Sequence, residues 1–128
     1  MTSRVFVLHL DKKLIAVQEI MRWAQIRHIP VVDRAGALVG VISHRDLLHA
    51  AVSAVANVST PERNRHLATI PISSVMRTDV QTIAPDAPIQ EAARRMRERK
   101  IGCLPVVEGG KLVGIISEYD LLVFAEKT

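Results

Sequence analysis

A mixed α/β (α+β) fold, two β-α-β-β-α units packed with pseudo-two-fold symmetry, is predicted by three features of this 128-residue chain. The chain repeats itself: Ile29-Pro30-Val31-Val32, Leu38-Val39-Gly40-Val41-Ile42-Ser43 and Asp46-Leu47-Leu48 return as Leu104-Pro105-Val106-Val107, Leu112-Val113-Gly114-Ile115-Ile116-Ser117 and Asp120-Leu121-Leu122. Pro30 and Pro105 are 75 residues apart but Gly40 and Gly114 only 74, so the slip falls where Asp33 to Ala37 becomes Glu108 to Lys111. A gap confined to a turn marks two copies of one folded unit, and a cleft between like halves is a natural place for a ligand. Finally, 48% of residues are hydrophobic while only Phe6, Trp23, Tyr119 and Phe124 are aromatic. Such a core is aliphatic, as where short Val/Ile-rich strands pack against helices.

In copy 1, Val5 to Leu8 reads as a short strand and Lys13 to Arg27 as a helix, with Leu14, Val17, Met21 and Ala24 on one face. Pro30-Val31-Val32 opens a buried strand, Asp33 to Ala37 turns, Leu38 to Ile42 returns, and a second helix starts at Ser43 and runs through Ala56. Copy 2 repeats this with a strand at Val80 to Ile83 and a helix from Ala87 to Lys100 burying Ile89, Ala92, Ala93 and Met96. Strands at Leu104 to Val107 and Leu112 to Ile116 follow, then a helix from Ser117. Between the copies, Thr60 reads as the N-cap of a connector helix with Pro61 at its first position. The units divide as residues 1–58, a helical connector 59–74, and 75–128. Copy 1 has no counterpart of the Ile72 to Val75 lead-in, because Met1 aligns with Met76.

Composition removes several function classes. No apolar run approaches the ~20 residues that span a bilayer, and Val5 to Leu10 is short, contains His9 and lacks a cleavage site. The single Cys103 forms no intrachain disulfide and reads as a small core residue on a strand. Together these predict a soluble, cytoplasmic protein. The net charge of +4 invites an anionic partner. Its densest cluster, Arg94, Arg95, Arg97, Arg99 and Lys100, contains Glu98 and lies late in a helix, where positive charge suits the dipole. Arg94 and Arg95 fall opposite the apolar face, so a solvated face is the better reading than a nucleic-acid patch, which also lacks interleaved aromatics.

The catalytic inventory is thin. The sequence shows neither a nucleophile spaced from a His and an acid nor a paired metal-ligand motif or Gly-rich phosphate loop. His44 and His49, five apart, fall on different faces of a helix. What recurs is Gly-x-x-Ser-x-x-Asp, as Gly40 to Asp46 and Gly114 to Asp120. Ser-x-x-Asp can be a capping box, its hydroxyl bonding the free N–H groups of the first turn while the carboxylate reaches back. The same helix start can be an anion site, with Gly allowing close approach and Asp accepting sugar hydroxyls. The motif alone leaves both open.

The whole constellation resembles a tandem pair of CBS domains (named after cystathionine beta-synthase), often called a Bateman module. Hydrophobic-Pro-Val-Val-acid, a short Gly turn and Leu-Val-Gly-hydrophobic-Ile-Ser-x-x-Asp-Leu-Leu occur in order twice. Val75-Met76-Arg77-Thr78, Ile83-Ala84-Pro85-Asp86 and Glu91-Ala92-Ala93 fit the same pattern, and the resemblance covers essentially the entire chain. It implies a regulatory module without catalysis or resident cofactor, binding AMP, ADP, ATP or S-adenosylmethionine in clefts between the motifs. Carried over by position, Asp46 and Asp120 take the ribose, and Ser43 and Ser117 lie near the phosphate. Ile29-Pro30 and Leu104-Pro105 offer backbone to the adenine, and Arg27 and His28 stand where some members place phosphate contacts. Gly40 allows backbone approach, and Thr78 and Val80 complete the Asp46 cleft. His44 and Arg45 beside Ser43 become Glu118 and Tyr119 beside Ser117, where Glu118 repels a phosphate, so the Asp46 cleft is the better candidate.

A homodimer is also expected. Ala16, Ile20 and Trp23 make a second apolar stripe on the first helix, with Ala16 and Trp23 away from the core face; copy 2 has Glu91, Arg95 and Glu98 there. Leu47-Leu48 with Val52 and Val55, and Leu121 to Phe124, leave the later helices apolar on most sides. Surplus apolar surface marks an interface, unless the connector helix covers it. The competing functional readings are a purely structural pair that assembles without ligand, and an arginine-based nucleic-acid binder. An unidentified effector protein is the implied regulatory target.

Overall fold

The computed structural model describes residues 6–55 and 59–127. Copy 1 contributes β1 (Leu8–His9), α1 (Leu14–Ala24), β2 (His28–Val32), β3 (Leu38–Ser43) and α2 (His44–Val55). The connector forms α3 (Thr60–Leu67) and a 3₁₀ turn at Ile72–Ser74. Copy 2 contributes α4 (Ile89–Arg99), β4 (Cys103–Glu108), β5 (Lys111–Ser117) and α5 (Glu118–Lys127). The side chains of Val52 and Val55, the strand start at Val5 and the helix end at Ala56 lie outside the described residues.

The two hairpins are built alike. Ile29 faces Ile42 and Pro30 faces Val41, as Leu104 faces Ile116 and Pro105 faces Ile115. Each pair slips by one residue after Val31 or Val106, leaving Val39 and Val113 as bulges. The copies differ in the turn, as the repeat predicts. In copy 1 the Asp33 carboxylate accepts from Ala35 N–H at 2.9 Å and Ala37 N–H at 3.0 Å, with Gly36 at φ 85°. In copy 2, Gly109 and Gly110 both take positive φ and close a two-residue hairpin.

The first strands depart from expectation. β1 begins at Leu8 and pairs parallel with β2, Leu8 opposite Val31. In copy 2 the strand expected at Val80 to Ile83 shrinks to one bridged residue, Ile83, which donates to Pro105 O and accepts from Val107 N–H, both at 3.0 Å. The cause is proline chemistry. Continuing that ladder backwards needs the N–H of residue 105, and continuing it forwards needs the N–H of residue 85; both are prolines and have none. Copy 1 has Pro30 behind but Leu10 ahead, and Leu10 N–H duly reaches Val32 O at 2.9 Å.

Both first helices are shorter than their periodicity predicts. α1 stops at Ala24 because Gln25 turns left-handed at φ 55°, and α4 stops at Arg99 because Lys100 does the same. Leu14, Val17 and Met21 are buried, with Ala24 at the margin; in α4, Ala92 and Met96 are buried while Ile89 and Ala93 are half-buried. The connector helix is capped one residue earlier than expected. Ser59, not Thr60, accepts from Glu62 N–H, and Pro61 occupies the second helical position.

Two cores result. One gathers Leu8, Leu14, Val17, Met21, Ile29, Val31, Ile42 and Leu47 with the connector's Leu67 and Ile72. The other gathers Ile83, Ala92, Met96, Leu104, Val106 and Ile116. Ala16 and Ile20 are half-buried against the first core, which corrects their expected position on a free stripe; only Trp23 of the three is exposed, at 79%. Arg94 pairs with Glu98 at 3.4 Å on an exposed face, as a solvated helix face would. Arg95 is not on that face: it is half-buried and donates to Gln81 Oε1 at 3.1 Å. Cys103 is buried, and desolvation pushes its thiol up to about 12, which suits a core residue and not a nucleophile.

Candidate functional site

The site grows from the junction of β3 and α2. Ser43 ends the strand and caps the helix: its N–H donates to Asp46 Oδ2 at 2.9 Å, and its hydroxyl accepts from Asp46 N–H at 3.1 Å. This is the capping box, with Asp in the place of Glu. His44 N–H donates to Arg27 O at 2.8 Å, tying the helix start to the residue before β2. Copy 2 has the same frame, with Glu118 N–H on Gly102 O at 3.2 Å and Ser117 N–H on Asp120 Oδ2 at 2.8 Å. There the hydroxyl lies 3.2 Å from the carboxylate, to which it can donate.

The second oxygen of Asp46 is engaged differently. Arg77 Nε lies 3.5 Å from Asp46 Oδ1, with the Asp side chain 12% exposed and the Arg side chain 66% exposed. Arg77 is delivered by the lead-in to copy 2, which runs beside β3: Val41 N–H donates to Arg77 O and Arg77 N–H to Val41 O, both at 2.9 Å. Gly40 makes that approach possible, because a Cβ there would lie 2.7 Å from Arg77 O and 2.8 Å from Met76 Sδ. Gly40 is therefore a packing glycine for the lead-in strand. Thr78 is exposed and Val80 half-buried further along the same segment. Arg77 is the residue of this segment that reaches Asp46.

His28 joins the copies. A Cβ on Gly102 would lie 2.7 Å from both Cε1 and Nε2 of His28 and 3.2 Å from Glu118 Oε1, so only glycine lets ring and carboxylate converge there. Burial holds the His28 pKa below its ordinary 6.5; Glu118 and then Asp46 pull it back up, and Arg27 pushes it down again. His28 thus feels Asp46 of its own copy and Glu118 of the other. Arg27 and Arg45 are exposed and His44 half-buried around this point. Ile29, Pro30, Leu104 and Pro105 are fully buried, so their side chains belong to the cores and only backbone could face a ligand. Pro105 O already accepts from Ile83 N–H.

Of the residues expected from the sequence, the structure brings Ser43, Asp46 and His28 together, and it adds Arg77 as a contact, Gly102 as a gap and Glu118 as the neighbour of His28. The signal for Arg77 was present in Val75-Met76-Arg77, but only the β3 pairing joins it to Asp46. Two shallow cavities lie elsewhere. One, of about 320 Å³, is lined by His9, Leu10, Asp11, Lys12, Asp33 and Arg34, at the opposite end of the β2–β3 hairpin from His28 and Ser43. The other, of about 110 Å³, involves the repeat-equivalent loop Ala84 to Ala87. Among the described residues no cluster of His, Cys, Asp and Glu could hold a metal ion, and no helix is long and apolar enough to cross a membrane.

The sequence pattern of the CBS domain matches residues 1–53 and 72–127. A CBS domain-containing protein of Dictyostelium discoideum is 34% identical over 123 residues, covering 95% of this chain and 85% of that one. A homoserine O-acetyltransferase of Methanococcoides burtonii is 31% identical over 122 residues, covering 94% of this chain but 22% of that protein. The enzyme name there belongs to a much longer chain. Among solved structures, AcuB from Vibrio cholerae superposes with TM-score 0.83 at 37% identity, over 99% of this chain and 87% of that one. The CBS domain pair of protein MJ0100, in complex with 5-methylthioadenosine and S-adenosyl-L-methionine, gives TM-score 0.80 at 25% identity, covering 100% and 94%. CBSX2 in complex with AMP gives 0.81 at 25% identity, covering 99% and 92%.

Proposed function

The chain belongs to the CBS-domain family, and we propose that it is a regulatory module that binds an adenosine-containing nucleotide beside Asp46 and catalyses nothing itself. The observation that carries this reading is the Asp46 carboxylate. It is fixed at a helix start by the Ser43 cap, mostly covered, and edged by a cation from the other half of the molecule. A carboxylate so held accepts hydroxyl hydrogen bonds without first losing side-chain freedom, and the helix N-terminus beside it favours an anion. Support comes from two structural relatives, solved with AMP and with 5-methylthioadenosine and S-adenosyl-L-methionine. The regulated target is a separate effector protein, and a single buried Cys103 suits a reducing, cytoplasmic setting.

Calorimetry with AMP, ATP and S-adenosylmethionine tests the proposal. Asp46→Ala weakens binding by about 1.5–3 kcal/mol, the range for hydrogen bonds to a charged group. Because Asp46 also belongs to the cap, Asp120→Ala serves as the control: it removes the matching cap of α5 and leaves affinity for the Asp46 cleft intact. Unchanged affinity in folded Asp46→Ala, or an equal loss in both variants, defeats the assignment.

A second reading, assembly through the helices, is favoured by Trp23, the most exposed large apolar residue among those described, and by Leu122 and Tyr119, exposed on α5. We propose that the module self-associates through the α1 face.

A further inference from the structure

Asp46 has two carboxylate oxygens, and both are in use. Ser43 N–H holds Oδ2 at 2.9 Å, and the Arg77 guanidinium stands 3.5 Å from Oδ1. With the Asp46 side chain only 12% exposed, a ligand hydroxyl that is to reach Oδ1 competes with Arg77 for it. The guanidinium itself is free to go, since 66% of the Arg77 side chain is already in solvent. Its backbone is not: Arg77 is bonded to Val41 in both directions, and Met76 and Arg77 pack against bare Gly40. Displacement therefore swings the head group about a fixed point at the cleft edge. The cation stays beside the ligand but loses its anion.

From this geometry, and resting on the nucleotide reading above, we propose that Arg77 is a resident counter-ion of Asp46 that makes the cleft selective for phosphorylated adenosine ligands. A nucleoside takes Oδ1 and leaves the guanidinium without a partner. A nucleotide takes Oδ1 and returns a phosphate, which the planar fork of Arg binds bidentately. The cation thus blocks the ribose acid in the empty protein and reads ligand charge in the occupied one. In sequence, the repeat aligns Thr2 with Arg77.

The test is calorimetry of AMP and adenosine against the wild-type chain, Arg77→Gln and Arg77→Lys. Wild type should prefer AMP by about tenfold or more, and Arg77→Gln should narrow that preference by about threefold or more, the helix N-terminus keeping the rest, while adenosine binds at least as well as before. Arg77→Lys keeps the charge without the fork and should fall between. A general loosening of the cleft would weaken both ligands alike and leave their ratio unchanged; that ratio, unchanged in Arg77→Gln, overturns the role of Arg77 while AMP binding itself stands. Absence of binding of either ligand to wild type and to Arg77→Gln overturns the nucleotide reading, and this one with it.

Discussion

His28 shows how one side chain can couple the two halves of the molecule to pH. Its ring lies over Gly102 beside Glu118, in a setting where burial disfavours the imidazolium more than the nearby carboxylates favour it. The folded protein then takes up the His28 proton at lower pH than the unfolded chain. The stabilising neutral form is complete above the ordinary value of 6.5 and is lost as pH falls from there through the depressed folded value. Thermal midpoints followed from about pH 7.5 down to about 5 should drop in the wild type. In His28→Gln the part of the drop beginning near 6.5 should disappear. Identical profiles for both proteins would show that His28 carries none of it. At this scale the sequence was informative wherever the partner was close: Ser43 and Asp46 are three residues apart and their reciprocal cap is visible in the motif. Arg77 and Glu118 reach the same site from distant segments, and no local pattern shows that they meet it.

At the level of elements, helix starts and hairpins were legible, and what escaped was set by groups across the sheet. The expected first strands obey a β pattern locally, yet their ladders are cut by prolines, Pro30 and Pro105 on the facing strands and, in copy 2, Pro85 just ahead on the same segment. Helix ends escaped for a different reason. Gln25 and Lys100 continue an acceptable helical sequence but adopt φ 55°, because the chain must reverse into β2 or β4 within three residues. A residue with a Cβ is strained there, and the same strain recurs at the same place in both copies. Lys100 is exposed, so Lys100→Gly should relieve it without loss of packing. The gain should be about 0.5–1 kcal/mol once the greater freedom of an unfolded glycine is subtracted. It should be read as a higher urea midpoint at unchanged slope. A lower midpoint would mean that the left-handed turn carries no strain.

The whole molecule is two hairpin-and-helix units whose cores are unequal. The connector's Leu67 and Ile72 are both fully buried in the first core, and α3 packs on α1 and α2. The connector is therefore part of copy 1's interior, and Ala16 and Ile20 are half-buried against that same core. Trp23 remains, 79% exposed, with Phe6 edge-on at 6.0 Å. A pair of aromatics left in water is a natural anchor between subunits. Sedimentation at micromolar concentration should give a dimer of the 14.2 kDa chain, and Trp23→Glu should return it to monomer. A wild-type monomer under those conditions would remove the α1 face from consideration.

The prolines that shorten the first strands also decide how safely such small sheets can exist in a crowded solution. A sheet edge is a template, and a long bare one recruits extended segments from other chains into aggregates. Among the described residues, the β1 edge offers only Leu8 and His9, copy 2 offers only Ile83 at the equivalent place, and the far edge of β3 is occupied by Arg77. A foreign segment arriving at the β1 side finds too few backbone groups in register to add a strand. The aliphatic runs that build the core, Ile29 to Val32 and Leu104 to Val107, are thereby kept from propagating. The missing N–H groups of Pro30 and Pro105 act as stop signals against self-templated growth.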